Sequence, residues 1–300
     1  MSEVKVCAVI VTYNRIVLLQ ECISALRNQT KPLHCIVVID NGSSDGTDKW
    51  LAEQNDLFVV RQTNLGGAGG FYRGIKEAVN KQCDWVWLMD DDVEPNLDCL
   101  YEMLNASDAS EIEYSVLQPD RFYIEDKKNG WGYGSKINAN NPFKNWALAP
   151  VRGVDFPDKR IIEIAGFPFE GPMFKSEVLE KVGDVEHKYF IINDDADYSM
   201  RVIQAGYKIG FVPKAVMSKK LGYKKIGLRI DFKLYYLIRN SIIFEKKFFP
   251  VHVAYIRNIL KSLKVMALFL KQGIKEKNIK LIFNAWGVVF NAFVDGVKFK

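Results

Sequence analysis

The first hundred residues alternate between short apolar runs and segments of helical spacing, and this constrains the fold more than any other feature. The apolar runs are rich in valine and isoleucine and cover residues 6–12, 35–40, 58–61 and 85–89. The segments between them place apolar residues three or four positions apart, and helices are predicted at 18–29, 45–54 and 68–82. Near-continuous apolar strands alternating with helices predict an α/β fold, with a mostly parallel sheet flanked by helices.

Polar residues follow each of the four apolar runs, at positions 12–15, 40–44, 64–70 and 90–92. Ligands of parallel sheets bind beyond the carboxyl ends of the strands. Polar residues at the ends of all four strands support a binding site at that edge of the sheet more strongly than any one of them alone.

Three consecutive aspartates, Asp90, Asp91 and Asp92, end the fourth run. Their mutual repulsion is costly, and a divalent cation offsets it because Mg²⁺ and Mn²⁺ prefer oxygen ligands. In extended backbone the first and third side chains point the same way, so Asp90 and Asp92 can share one ion while Asp91 turns away. The alternative is a polar loop in which Asp92 starts a turn before Pro95.

Asp40 ends the second run and precedes a glycine-containing turn. A carboxylate at this place accepts hydrogen bonds from a base or a ribose. The alternative is a plain turn followed by a helix cap at Asp45 or Thr47.

The segment 64–70 contains four glycines and opens a helix. Small residues let backbone N–H groups approach a phosphate or a sugar at a helix N-terminus. Close packing of the helix on the sheet is the alternative, and it accounts for one or two of the glycines. Arg73 follows one turn later, where it either pairs with a diphosphate or the aspartate triplet, or lies on a solvated face.

A second acidic cluster, at positions 193–197, follows the apolar residues 190–192, for which we expect a strand, and opens a helix. One carboxylate held near a substrate hydroxyl is a suitable general base. Acidic residues are also favourable at any helix N-terminus, which is the alternative. Nearby, we expect a short helix at 176–182 and an edge strand at 209–213.

Composition narrows the class of protein. The chain has 300 residues, of which 48% are apolar, so it can bury a substantial core in one large or two modest domains. Its five cysteines lack metal-ligand spacing, and we expect reduced core residues of a cytoplasmic protein: Cys7, Cys22, Cys35, Cys83 and Cys99. We expect neither a signal peptide nor a transmembrane helix.

Charge is distributed unevenly along the chain. Residues 214–300 hold 19 Lys and Arg against 4 Asp and Glu, whereas residues 1–213 hold 22 against 32. We predict a first domain over 1–225 and a basic helical region over 226–300, with helices at 231–248, 251–271 and 275–295. Contact with an anionic membrane surface fits this region. A helical cap with lysines in solvent and a homo-oligomer contact are the alternatives, and no nucleic-acid motif is present.

In this order and spacing, the motifs resemble those of the inverting, family 2 nucleotide-sugar glycosyltransferases of GT-A fold. The resemblance covers roughly residues 5–240 and rests on positions 11–15, 40–47 and 90–92, and on Asp194 and Asp195 with Arg201 after them. Segment 64–73 is similar to that of a subgroup that contains galactofuranosyltransferases and some rhamnosyltransferases, and segment 193–201 is similar to the catalytic segment of the galactofuranosyltransferases.

The resemblance implies a role for each motif. Asp195 is the catalytic base, and Asp90 and Asp92 hold Mg²⁺ or Mn²⁺. Residues that bind the nucleotide or donor sugar are Thr12, Tyr13, Asn14, Arg15, Asp40, Asn64, Gly66, Gly67, Gly69, Gly70, Arg73, Asp90 and Asp91. Candidates on the acceptor side are Asp194, Gly171 and Pro172.

One position departs from the family pattern. Members often supply a third metal ligand, a histidine shortly after a proline such as Pro213, where this chain has Ser218 or Lys219. Either the ion is held weakly, or Lys219 supplies positive charge in its place.

The sequence thus predicts a metal-dependent enzyme that moves a sugar, with galactofuranose favoured, from a nucleotide-sugar donor, with UDP favoured. The acceptor is a hydroxyl of a polysaccharide or lipid-linked glycan precursor, at the inner face of the cell membrane. The alternatives are a rhamnosyltransferase that uses dTDP-rhamnose and a non-catalytic nucleotide-sugar-binding or scaffold protein.

Overall fold

The computed structural model describes residues 4–124, 136–148, 150–221 and 230–299. They fall into two compact units. The first takes the described residues of Met1–Lys136, Ala147–Lys188 and Asp195–Gly222, and the second those of Ile137–Trp146, Tyr189–Asp194 and Tyr223–Lys300. The domain boundary predicted at 225/226 lies among residues 222–229, outside the described residues, and the inclusion of two earlier segments in the second unit was not foreseen.

The strands are β1 Val6–Thr12, β2 Cys35–Asp40, β3 Leu57–Arg61, β4 Trp85–Asp90, β5 Val93–Pro95, β6 Val116–Tyr123, β7 Lys136–Ile137, β8 Ala147–Leu148, β9 Ile162–Ile164, β10 Met173–Lys175 and β11 Ile209–Lys219. Within the described ranges, nine of them form one sheet in the order β3-β2-β1-β4-β10-β6-β11-β5, with β9 also paired to β11. The half from β3 to β4 is parallel, as predicted. The other half is mixed, because β10 runs antiparallel to both β4 and β6.

The helices are α1 Ile16–Arg27, α2 Thr47–Ala52, α3 Gly66–Val79, α4 Cys99–Asp108, α5 Ser176–Val182, α6 Asp194–Gln204, α7 Phe232–Phe248, α8 Val251–Lys275 and α9 Ile279–Lys298, with 3-10 turns at Gly153–Asp155 and His187–Tyr189. The predicted α/β fold class is confirmed. Helix α2 begins after Gly46, whose φ is +96°, so neither Asp45 nor Thr47 is the N-cap residue. Asp45 instead accepts hydrogen bonds from the Thr47 amide and hydroxyl.

Two predicted strands differ from the structure. The strand expected at 209–213 is β11, which runs on to Lys219 and lies inside the sheet between β6 and β5. Pro213 is tolerated there because the pairing with β6 shifts register between Val212 and Val216. No strand forms at 190–192, since Phe190 and Ile192 have φ of +65° and +68°.

The cysteines are free and buried, as expected. The fold nevertheless brings the thiols of Cys7, Cys35 and Cys83 within 4.8 Å of one another. Cys7 and Cys35 are register partners on β1 and β2, which linear spacing does not reveal.

The second unit has a core of its own, built by α7, α8 and α9. Its buried apolar side chains are Leu234, Ile238, Ile242, Phe269, Ala285, Val289 and Ala292. Gly296 allows a close approach, because a Cβ there would lie 2.7 Å from the Arg239 carbonyl oxygen. Among the described residues, no helix has the length and apolar character needed to span a membrane.

Candidate active site

Strands β1 and β4 are parallel neighbours, so their carboxyl ends place Thr12 beside the aspartate triplet. The Thr12 hydroxyl donates to Asp91 Oδ2 at 2.7 Å, and Arg15, at the start of α1, donates to Asp91 Oδ1 at 2.9 Å. Burial raises the pKa of Asp91, and these two partners oppose that rise. Both oxygens of Asp91 are thus engaged within the protein, and its contact with the donor stays a prediction.

Asp90 and Asp92 face a lysine. Lys219 ends β11 and is the register partner of Val93, which brings its ammonium 3.1 Å from Asp92 Oδ1 and 4.0 Å from Asp90 Oδ2. Its third partner is Glu170 Oε1, at 2.6 Å. Only 12% of the Lys219 side chain is exposed. Lys219, one of the two residues that stand where a histidine was expected, therefore supplies a positive charge directly to the triplet.

The charges at this edge nearly balance. Four carboxylates (Asp90, Asp91, Asp92, Glu170) meet three cations (Arg15, Arg121, Lys219), with Arg121 paired to Glu170. Desolvation and the other two aspartates raise the pKa of Asp90, against the opposing charge of Lys219. About a third of the Asp90 side chain remains open to solvent, and no described group donates a hydrogen bond to its carboxylate. A solvent-reachable, unsatisfied carboxylate next to Asp92 fits a divalent-cation ligand.

Asp40 lies at the end of β2 with 1% exposure. Its Oδ1 accepts from the Ser43 amide at 2.9 Å, whereas no described group donates a hydrogen bond to Oδ2. Arg61 approaches Oδ2 only to 3.6 Å. Since a buried charged oxygen without a donor is costly, Asp40 Oδ2 is suited to a hydrogen bond from a ligand.

The loop that follows β1 is held against the turn that follows β2. Asn14, with φ of +53°, donates its amide to Ser43 Oγ and accepts from the Ser44 amide. Tyr13 is exposed beside it. In the turn after β2, Asn41 follows Asp40, and its side-chain amide donates to the Gly66 carbonyl. This bond fixes the start of α3. Asn41 was not among the predicted site residues, although it stands next to Asp40 in the turn.

The four glycines of segment 64–70 differ in how much space an added Cβ would have. A Cβ on Gly70 would lie 2.3 Å from a Val11 methyl carbon, and one on Gly69 would lie 2.3 Å from Leu65 Cβ, so close packing accounts for both. Gly67 has nothing within 4 Å of an added Cβ. Gly66 has φ of +72°, and its amide donates to Asn64 Oδ1. Gly66 is buried and its positive φ accounts for the glycine, so of these four glycines packing leaves Gly67 open to a ligand.

Arg73 is not brought to the aspartate triplet. Its guanidinium donates to Glu77 one turn along α3, at 2.7 Å, and half of the side chain is exposed. Arg73 thus lies on a partly solvated helix face in this structure, and its pairing with a diphosphate stays a prediction.

The second acidic cluster opens α6 and its carboxylates differ in burial. Asp195 is partly exposed, and its Oδ1 accepts from the Ala196 amide. Asp194 and Asp197 are buried, and Asp197 pairs with Arg201, which also donates to the Val182 and Asp184 carbonyls. Asp197 and Arg201 therefore hold the helix in place, which leaves Asp195 as the accessible carboxylate.

Gly171 and Pro172 are buried against β4. The Gly171 carbonyl accepts from the Trp87 indole, its amide donates to Leu88, and Pro172 accepts from the Leu88 amide. Gly171 has φ of +100°, and an added Cβ would lie 2.4 Å from Met217 Sδ. Packing alone accounts for these two residues, so their acceptor role remains a prediction. Their neighbour Glu170, which the sequence reasoning missed, reaches the site through Lys219.

Comparison with known proteins places this site in context. Over 216 residues the chain is 26% identical to galactofuranosyltransferase GlfT1 of Mycolicibacterium smegmatis, covering 68% of this chain and 67% of the relative. It is 25% identical to dTDP-rhamnosyl transferase RfbF of Shigella flexneri, covering 85% of each.

The fold has solved counterparts. The structure of GalNAc-T7 with UDP, GalNAc and Mn²⁺ aligns with a TM-score of 0.60 at 17% identity, and this chain spans about half of it, 48%. The model of the family described as glycosyl transferase family 2 matches residues 7–183, which contain β1 to β4 and the aspartate triplet. The match covers more than half of the sequence, and the chain belongs to glycosyl transferase family 2.

Proposed function

We propose that the protein is an inverting glycosyltransferase that moves galactofuranose from a nucleotide-sugar donor to a hydroxyl of a cell-surface polysaccharide or glycolipid precursor. The observation that carries the proposal is the meeting of Thr12, Arg15, the aspartate triplet and Lys219 at one edge of the sheet. The relatives named galactofuranosyltransferase favour that sugar. The relative named dTDP-rhamnosyl transferase supports the second candidate, transfer of rhamnose from dTDP-rhamnose.

In this proposal the donor lies along the carboxyl ends of β1, β2 and β4. Asp40 Oδ2 accepts from the base or ribose, and Gly67, with nothing within 4 Å of an added Cβ, allows the backbone to approach the diphosphate or sugar. UDP is the favoured nucleotide. Arg15, with about two fifths of its side chain exposed, adds positive charge on the same side.

Asp90 and Asp92 would hold Mg²⁺ or Mn²⁺. When bound, the ion would offset the negative charge that develops on the leaving nucleoside diphosphate. Lys219 contributes a fixed positive charge to the same two carboxylates. A related solved structure contains UDP and Mn²⁺, which favours a divalent cation here.

Asp195 is the proposed general base. It removes the proton of the acceptor hydroxyl, and the oxygen attacks the anomeric carbon on the face opposite the leaving diphosphate. A single displacement inverts the configuration at that carbon. The partial exposure of Asp195 and its place at the start of α6 suit a base that meets an external acceptor.

A donor panel tests the proposal: UDP-galactofuranose, UDP-galactose, UDP-glucose and dTDP-rhamnose, each with Mn²⁺ and an acceptor glycan. We expect transfer from UDP-galactofuranose with inversion, read by the anomeric coupling in the NMR spectrum. Asp195→Asn should reduce transfer by about a thousandfold or more while UDP binding stays within twofold, because the base acts after donor binding. Glu163→Gln, at an exposed glutamate in β9, is the control.

The outcomes separate the candidates. Consumption of dTDP-rhamnose in place of the UDP-sugars would establish the second candidate. Binding of UDP without consumption of any donor, together with no effect of Asp195→Asn, would leave only a binding or scaffold protein.

We also propose that the basic helical region contacts an anionic membrane surface, which suits a lipid-linked acceptor. Its supporting features are the excess of Lys and Arg after residue 214 and large apolar side chains exposed on α8 and α9. Those side chains include Ile259, Leu263, Ile274, Phe283 and Phe290. Contact between copies of the chain is the alternative use of the same surface.

A further inference from the structure

The residues just before the proposed base have an unusual backbone. Phe190, Ile192 and Asn193 have φ values of +65°, +68° and +70°. Left-handed backbone is uncommon for any residue with a side chain and is an outlier for a β-branched one such as Ile192. Such a residue is energetically costly and persists only where the surroundings enforce it. Some contact must therefore hold this segment in its conformation.

Asn240, in the middle of α7, makes that contact. Its side chain is completely buried, with 0% exposure. Its amide nitrogen lies 2.9 Å from the Tyr189 carbonyl oxygen, 2.6 Å from that of Ile191 and 2.9 Å from that of Ile192. A side-chain amide has two N–H groups, so three acceptors share two donors.

The remaining contacts of α7 orient this amide and the segment. Asn240 Oδ1 accepts from the Arg239 guanidinium at 3.0 Å, which fixes which end of the amide faces the carbonyls. One turn earlier on the same helix, Tyr236 stacks on Phe190 with ring centroids 5.1 Å apart and an angle of 17°. The segment is thus held through both its backbone and its side chain.

The chain passes directly from this segment into α6, which begins at Asp194, and Asp195 follows. Asp197 and Arg201 hold the body of α6, whereas the segment 190–193 leads into its first turn, where Asp195 lies. We propose that Asn240 is a positioning residue: its amide enforces the left-handed segment 190–193 and thereby fixes the carboxylate of Asp195 for proton removal. This inference rests on the proposed role of Asp195 as base.

Loss of the Asn240 amide should change the backbone of residues 190–193 rather than the fold as a whole. Without its donors, the strained segment can relax towards ordinary backbone, since relaxation recovers the cost of the left-handed residues. A shift of about 1 Å in a reacting group can cost about a hundredfold in rate. Donor contacts at the strand ends would be unaffected, so the loss should fall on kcat.

The test compares Asn240→Ala and the nearly isosteric Asn240→Asp with a matched control, Asn258→Ala. Asn258 is a buried asparagine of the neighbouring helix α8, and its amide donates to Ala254 of its own helix. Readouts are kcat, donor KM, UDP binding, the pH dependence of kcat, thermal unfolding and hydrogen exchange of the 189–194 amides. Exchange needs no activity and reports on the segment in any folded variant.

We expect both Asn240 variants to lose about ten- to hundredfold in kcat, with donor KM and UDP binding within twofold. The acidic limb of the pH profile should shift, and exchange at 189–194 should accelerate. Asn258→Ala should lower the melting temperature comparably without these changes. Unchanged kcat and exchange in Asn240→Asp, or equal kcat losses in Asn240→Ala and Asn258→Ala, would overturn the inference.

The wild-type enzyme and Asp195→Asn are measured alongside. If Asp195→Asn retains full activity, the assignment of Asp195 as the base fails. Accelerated exchange in the Asn240 variants would then show that Asn240 holds the segment 189–194 without a catalytic role. If Asp195→Asn is inactive and the Asn240 variants are normal, only the positioning role fails.

Discussion

The ammonium of Lys219 lies 3.1 Å from Asp92 Oδ1 and 4.0 Å from Asp90 Oδ2, on a strand antiparallel to the one that follows the triplet. A fixed positive charge at this distance competes with a metal ion, by roughly 1–4 kcal/mol at 4 Å depending on the effective dielectric. We predict that Lys219→His raises Mn²⁺ affinity about tenfold, because it removes the competing charge and adds a nitrogen ligand. Electron paramagnetic resonance of free Mn²⁺, with UDP present, measures this affinity.

Lys219 either lies beside a weakly held metal ion or supplies the positive charge in place of an ion. These two roles give opposite results when EDTA removes divalent cations. If Lys219 supplies the charge in place of an ion, wild-type transfer survives EDTA and Lys219→Ala abolishes it. If an ion is required, EDTA stops the wild type. Lys220→Ala is the matched control, since the Lys220 ammonium pairs with Glu21 and Glu94. Lys220 meets the triplet through its backbone amide, which donates to the Asp92 carbonyl and is kept in the variant. Equal Mn²⁺ affinity in the wild type and both Lys219 variants would refute competition.

Thr12 supports a buried negative charge. Its hydroxyl is the partner of Asp91 Oδ2, and both residues are nearly inaccessible. Thr12→Val preserves the side-chain shape and leaves that oxygen without a donor, so we expect a loss of about 1–3 kcal/mol in the free energy of unfolding. Thr12→Ser keeps the hydroxyl and should lose less. Urea denaturation measures both, and equal losses in the two variants would contradict this role of the hydroxyl.

Gly67 and Gly70 separate ligand contact from packing. Gly67→Ala meets nothing within 4 Å and replaces glycine in a helix, so stability should hold or rise by about 0.5–1 kcal/mol. If the backbone at Gly67 approaches the donor, UDP-sugar affinity should fall several-fold in this variant. Gly70→Ala would place its Cβ 2.3 Å from Val11, and we expect destabilisation of about 1–3 kcal/mol. Calorimetry of UDP-sugar binding gives the answer; normal affinity in Gly67→Ala would remove this glycine from the site.

Much of this site can be predicted from local sequence. The parts that could not be predicted depend on pairing between strands that are far apart in the chain. The triplet, Asp40 and Thr12 lie where apolar runs end, so their convergence follows from the parallel order of β1, β2 and β4. Glu170 and the ion pair of Lys219 depend on β10 and β11 joining the same sheet in mixed directions. No local pattern encodes that pairing. The segment 190–192 looks like a strand because its residues are apolar, but contacts with α7, some fifty residues later in the chain, accompany a different backbone.

The basic helical region gives a prediction that salt can test. We expect the full chain to float with vesicles that contain about 30% phosphatidylserine at low salt and to be released as ionic strength rises, because Lys and Arg supply the attraction. At any one salt concentration, Leu263→Glu, at an exposed apolar position of α8, should float less than the wild type. Failure to bind at low salt would refute membrane contact. Light scattering of the same sample distinguishes a homo-oligomer.

Glu245 makes the stability of the helical unit depend on pH. It has 2% exposure and lies 3.1 Å from the Arg257 guanidinium, with Lys261 nearby and bonded to Ser241. Burial raises the pKa of Glu245 to about 7 despite the opposing charges of Arg257 and Lys261. The folded state then binds this proton more tightly than the unfolded state, whose pKa is near 4.5. The stabilisation is complete below the unfolded value and is lost as pH rises through about 7.

The expected result is a fall of about 2 kcal/mol in the free energy of unfolding between pH 5 and pH 8 from this group. Glu245→Gln cannot titrate and should flatten that dependence, and it should match the wild type most closely at acidic pH, where the carboxyl of Glu245 is protonated and as neutral as the amide. Glu276→Gln, at an exposed glutamate after α8, should keep the wild-type slope. Urea titrations at several pH values, followed by circular dichroism, measure the slopes. A wild-type slope that persists in Glu245→Gln would show that its carboxyl is ionised throughout this range, with the Arg257 pair outweighing the cost of burial.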